Sequence, residues 1–119
     1  MTIVKRSLPA LLYALLILTL SSIPGQKLSA DLFSLHDKPL HILLYFGAFY
    51  AFYSSIRRPH LTLATVYLYA AFDEIYQNFI PGRHSSPYDW IADALGATLA
   101  YLLLFAFRHL YAPRKPSSL

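Results

Sequence analysis

Six carboxylates occur in this sequence, and four of them fall within one stretch, 73-DEIYQNFIPGRHSSPYDWIAD-93, which is flanked on both sides by Leu, Ala, Ile, Phe and Tyr. Asp73, Glu74, Asp89 and Asp93 are acceptors of protons or of hydrogen bonds from sugar hydroxyls and ammonium groups. Arg83 in the same stretch, and Lys38 upstream, can meet phosphate. His41 adds an imidazole able to give or take a proton near neutral pH. Spacing groups these residues. Asp37, His41 and Tyr45 recur every four positions, as do the pairs Asp73 with Gln77, Glu74 with Asn78, and Asp89 with Asp93, so on helices each set shares one face.

The elements that must carry these faces are apolar. The 119 residues are 56% hydrophobic, 16% aromatic and only 13% charged, a balance suited to a bilayer rather than to water. Four stretches approach the roughly 20 residues of helix that cross about 30 Å of hydrocarbon: Leu8–Ile23, Pro39–Ile56, Leu61–Ile80 and Pro87–Phe107. Lys5 and Arg6 before a Leu-rich run also describe a signal peptide. However, Leu28-Ser29-Ala30 puts a large residue where small-x-small is needed, and the first stretch is read as a retained helix. Pro24-Gly25, Arg57-Arg58-Pro59 and Pro81-Gly82 separate the four. The expected fold is an all-α membrane protein, a four-transmembrane-helix bundle forming a single transmembrane domain over residues 1–119, with no internal repeat.

Orientation follows from the cations. With the N-terminus inside, Lys5, Arg6, Arg57, Arg58, Arg108, Arg114 and Lys115 are cytoplasmic, and Lys27, Lys38 and Arg83 are outside, so both termini are expected in the cytoplasm of an inner-membrane protein. All six acids then lie in outer loops or outer helix halves. Glu74, six residues before Ile80, sits about 9 Å below the outer end of its helix. An isolated charge at such depth costs several kcal/mol, so the polar faces are expected to turn inward onto one another or water. Small residues four apart (Ala10 and Ala14; Gly47, Ala51 and Ser55; Ala92, Gly96 and Ala100) suit close helix packing. Tyr88 and Trp90 suit the outer interface and Tyr111 the inner one. The absence of cysteine excludes disulfides and thiolate metal sites. The formal charge of +4 is scattered among loops, which argues against nucleic acid as a partner.

Each polar residue also has a structural use. Asp37 before Lys38-Pro39 reads as an N-cap, and Ser86-Pro87-Tyr88-Asp89 as a cap with Pro at the first helical position. His84 and Ser85 read as loop residues, His41 as a donor to a neighbouring helix, and Glu74 as the partner of Arg83 or Lys38 in an ion pair.

The segments 37-DKPLHILLY-45, 73-DEIYQNFIPGR-83 and 89-DWIADALG-96 together resemble the VanZ-like family of small membrane proteins, over about residues 37–104. Asp37, Lys38, His41, Glu74, Gln77, Arg83, Asp89 and Gly96 stand at matching positions. Tyr76 replaces a His often found before the Gln, and Asp93 stands where Asn is usual. The resemblance implies a cell-envelope role, in a family named after a protein associated with low-level teicoplanin resistance.

Three functions are compatible with these residues. One is a binding or lipid-handling module whose outward polar site, drawn from Asp37, Lys38, His41, Tyr45, Asp73, Glu74, Gln77, Arg83, Asp89 and Asp93, takes the head group of an envelope lipid or lipid-linked cell-wall precursor. A second is an intramembrane enzyme, with Glu74 or Asp89 as general base, His41 as partner acid and Arg83 stabilising developing negative charge. No short two-His motif signals a metal, so no metal is assigned, although a metal-assisted form would draw on His41, Glu74, Asp89 and His84. Ser85 lacks the spacing of a nucleophile elbow. The third is a structural protein whose polar layer only fixes helix packing.

Overall fold

The computed structural model describes residues 3–22, 30–82 and 87–111, with the side chains of 30–38 and 111 left out of the description. Four helices make up the described chain: α1 (Ile3–Ser21), α2 (Ala30–Ile56), α3 (Pro59–Gln77) and α4 (Pro87–Tyr111), with no strand among these residues. Three of them, α1, α2 from Pro39 onward and α4, are long and apolar enough to cross a membrane.

Sequence chemistry accounts for the breaks. Between α2 and α3 only Arg57 and Arg58 intervene. Arg57 takes the left-handed conformation (φ 61°) and its N–H returns to the Tyr53 carbonyl at 2.8 Å, closing α2 as a one-residue cap. Arg58 is extended (φ −120°, ψ 111°) as a residue before proline must be, and Pro59 opens α3 where its missing N–H costs nothing. So short a link makes α2 and α3 antiparallel. After Gln77 the N–H groups of Asn78, Phe79 and Ile80 bond three residues back, a tightened turn rather than a further helical one. The third helix therefore stops at Gln77, not at Ile80. Pro87 begins α4 with Asp89 in its first turn, where a carboxylate complements the helix dipole.

Helix α2 departs from the sequence expectation. It begins at Ala30 rather than at Pro39 and passes through that proline, so Asp37 lies in its second turn and is no N-cap, and His41 and Tyr45 lie well beyond its first turns. Proline removes one backbone hydrogen bond from a helix, and in membrane helices neighbours make this tolerable.

Packing is inverted relative to a soluble protein. The core is narrow and built of Ile17, Tyr45, Ala48, Phe52, Val66, Ala70 and Ala97, whereas Leu11, Leu15, Leu43, Leu68, Phe72, Leu99 and Leu102 face outward. Lipid offers no hydrophobic drive for helices to associate, so close approach and hydrogen bonds across helices take that role. A Cβ on Gly96 would run into the backbone carbonyl of Ile42, which brings α4 directly onto α2. Gly47 likewise leaves room for the Tyr13 hydroxyl, which donates to the Leu44 carbonyl at 2.6 Å. Tyr69 donates to the Ala14 carbonyl at 2.6 Å, Tyr50 to the Ala100 carbonyl at 3.0 Å, and Arg6 and Ser55 exchange bonds with each other's carbonyls at 2.7 and 2.6 Å. Trp90 is half-buried, its ring N–H donating to the Tyr67 carbonyl at 3.2 Å. A helix surface can satisfy an indole N–H as well as lipid head groups can, and α3 lies within reach. Tyr88 is exposed.

Candidate functional site

One end of the bundle carries arginines (Arg6, Arg57, Arg58, Arg108); the other gathers the buried carboxylates Asp73, Glu74, Asp89 and Asp93. Asp73 on one side, and Glu74 with Asp93 on the other, are of unlike character.

Asp73 is saturated. Its Oδ1 accepts from Ser21 Oγ at 2.5 Å, and its Oδ2 accepts from Tyr45 at 3.1 Å and from Gln77 Nε2 at 3.3 Å, while the same Gln77 nitrogen reaches Ser21 Oγ at 3.3 Å. One carboxylate thus ties α1, α2 and α3 together. Beside it Ser22 Oγ and Tyr76 OH lie 2.6 Å apart and fasten α1 to α3 a second time. Ser21 and Ser22 did not stand out in the sequence; the only cue is a pair of hydroxyls closing an otherwise Leu- and Ile-rich stretch.

Glu74 is the opposite case. The next residue along α3, it points about 100° away from Asp73, toward α2 and α4. His41 Nδ1 and Asp93 Oδ1 are hydrogen-bonded at 2.6 Å, and one potential metal-ligating atom from each of His41, Glu74 and Asp93 falls within 4.8 Å of the others. Glu74 is 6% exposed and Asp93 fully buried, yet both Glu74 oxygens and Asp93 Oδ2 have no hydrogen-bond partner among the described residues. Ionised carboxylate oxygens only accept, so with both acids ionised this pocket presents three lone acceptors, each costing free energy until a proton, a donor or a cation meets it.

Asp89 is buried in the first turn of α4 but does not belong to this close trio. Tyr45, Asp73 and Gln77 form the saturated network instead. The side chains of Asp37 and Lys38, and residues Arg83, His84 and Ser85, lie outside the described residues. A shallow cavity of about 340 Å³ is lined by the apolar residues Pro39, Ile42, Leu43 and Phe46, which lie about 100–200° around α2 from His41 and so on another face of the helix.

The arrangement is that of membrane helices fastened by one satisfied carboxylate and presenting two unsatisfied ones. A sequence profile of the VanZ/LLP1 family matches residues 7–108. The chain belongs to that family. The VanZ/LLP1 match takes in α1, whose Ser21 closes on Asp73, as well as the three helices that supply the acids. No curated protein and no solved structure matches the chain. Family and helices together make it a VanZ-like integral membrane protein of the cell envelope.

Proposed function

We propose that this chain binds the polar head group of an envelope lipid, or of a lipid-linked cell-wall precursor, at His41, Glu74 and Asp93. The observation that carries the reading is the set of three buried acceptor oxygens, on Glu74 and Asp93, without donors among the described residues. Sugar hydroxyls or an ammonium group would supply the missing donors through charge-assisted bonds. Arg83 and Lys38 are the phosphate contacts in this reading. All four helices cross the inner membrane with both termini in the cytoplasm, α3 included: its polar Thr62, Asp73, Glu74 and Gln77 are buried while Leu61, Leu68, Phe72 and Ile75 face out, so it meets lipid with an apolar surface despite its acids. Occupancy by a cell-wall precursor would connect the chain to survival under teicoplanin-type glycopeptides.

The test is mass spectrometry of lipid retained by the purified protein. One head-group class should be enriched over its share of the membrane and be lost from Glu74→Gln and Asp93→Asn; a lipid profile equal to bulk membrane would exclude the reading. In cells where deletion has a phenotype, Glu74→Gln, Arg83→Ala and Asp89→Asn should each behave as the deletion at wild-type membrane levels by immunoblot.

The His41–Asp93 pair supports a second reading. An imidazole held by a carboxylate at 2.6 Å beside a free carboxylate is a base with its orienting group, as acid–base catalysis requires. Consumption of the retained lipid over time, abolished in His41→Gln, would separate turnover from binding.

A further inference from the structure

Head groups of envelope lipids commonly bring phosphate, and a pocket of carboxylates repels phosphate. The same three residues contain a resolution of that conflict. We propose that His41, Glu74 and Asp93 hold one divalent transition cation inside the bundle.

Proximity is the first argument. One candidate donor atom from each residue lies within 4.8 Å of the other two. Tetrahedral donors about 2.1 Å from an ion are about 3.4 Å apart, so side-chain adjustments of roughly 1 Å close the three onto a metal, which displaces to water the proton of the 2.6 Å His41–Asp93 hydrogen bond. Saturation is the second. Asp73, one residue from Glu74 and equally buried, has three donors from Ser21, Tyr45 and Gln77, which shows that this bundle can satisfy a buried carboxylate with its own hydroxyls and amides. Around Glu74, over nine-tenths buried, and Asp93, wholly buried, no such donors meet Glu74 Oε1, Glu74 Oε2 or Asp93 Oδ2 among the described residues. Burial of these groups without a donor leaves a place for an electrophile.

Charge decides its valence. Two carboxylates and a neutral imidazole carry −2, which one doubly charged ion cancels, whereas a single shared proton cancels half. Ligand type decides its class: an imidazole nitrogen with two carboxylate oxygens suits zinc, manganese or iron, while magnesium and calcium favour oxygen alone. Three protein ligands leave coordination positions open. On the head-group reading, a phosphate oxygen occupies one of them; the metal site itself does not depend on that step.

The experiment uses the full chain in detergent, stripped with chelator and dialysed against Zn²⁺ or Mn²⁺ alone, with bound metal counted by mass spectrometry. About one ion per chain is expected, with Glu74→Gln, Asp93→Asn and His41→Gln each weakening binding by about tenfold or more, and Tyr76→Phe, whose hydroxyl pairs with Ser22 instead, binding as wild type. Helical circular dichroism and size exclusion check that each variant is folded. Mn²⁺ in the wild-type protein supplies a readout that needs no variant: its pulsed electron paramagnetic resonance spectrum should show coupling to an imidazole nitrogen. Stoichiometry near zero, Glu74→Gln binding as wild type, or a spectrum without nitrogen coupling would overturn the site. The two readings separate cleanly. Metal bound without any enriched lipid sinks the head-group reading and leaves the metal, and a specific lipid retained equally by metal-free protein, with no metal taken up, does the reverse.

Discussion

Glu74 and Asp73 are chain neighbours with opposite fates, and the contrast makes a stability prediction. Replacing a buried, unpartnered carboxyl by an amide that can donate should relieve the metal-free fold, so in chelator-treated protein Glu74→Gln is expected to melt at or above the wild-type temperature while losing retained lipid, the usual trade between stability and function. Thermal unfolding in detergent checks it, and a clear drop in Tm would mark Glu74 as a structural residue. Gly96 offers a second residue-scale test. Its absent Cβ would strike the Ile42 backbone, which cannot rotate away, whereas at Gly47 the obstacle is the end of the Tyr13 side chain. Gly96→Ala should therefore cost about 1–3 kcal/mol of stability and Gly47→Ala less, in line with overpacking at rigid against yielding neighbours. Equal melting temperatures for the two variants would contradict the close α2–α4 approach.

At the scale of elements, α1 is held by polar contacts more than by its few buried apolar side chains, since Ile17 is its one fully buried hydrophobe among the described residues. Ser21 to Asp73 and Tyr69 to the Ala14 carbonyl join it to α3. Ser21→Ala leaves Asp73 Oδ1 short of a donor at a cost of about 1–3 kcal/mol, and Tyr69→Phe removes a bond worth about 0.5–1.5 kcal/mol. Combined, they should loosen α1 selectively. Hydrogen exchange should rise in α1 and at the end of α3 while the α2–α4 contact stays protected; uniform exchange across the four helices would show that α1 does not dock as a separate unit.

For the whole molecule, the sided distribution of charge makes orientation measurable. The chain has no cysteine, so single cysteines can be placed freely. Substitutions Ser29→Cys and Ser85→Cys should react with an impermeant maleimide on intact cells, and Ser117→Cys only after lysis. The opposite pattern would put the carboxylate end of the bundle in the cytoplasm and move any head-group site to the inner leaflet.

Much of this architecture is legible along the chain, because its determinants are local. Apolar runs of near-spanning length, the pre-proline Arg58 and the Pro59 start of α3 specify helices and breaks without reference to anything distant. Four-residue spacing also places His41, Glu74 and Asp93 on helix faces that lipid would reject. Other features depend on which faces meet. A helix passes through Pro39 rather than starting there, and the Trp90 indole finds the Tyr67 carbonyl, because neighbouring helices change the cost of each choice. The decisive distinction, between a carboxylate satisfied by Ser21, Tyr45 and Gln77 and one left bare beside His41 and Asp93, is likewise tertiary. Asp73 and Glu74 are adjacent acids on one helix, and local sequence carries nothing that separates them. About 100° of rotation turns one toward donors on α1 and α2 and the other toward a pocket whose acceptors outnumber its donors, and only the packing of the bundle determines what stands in each direction.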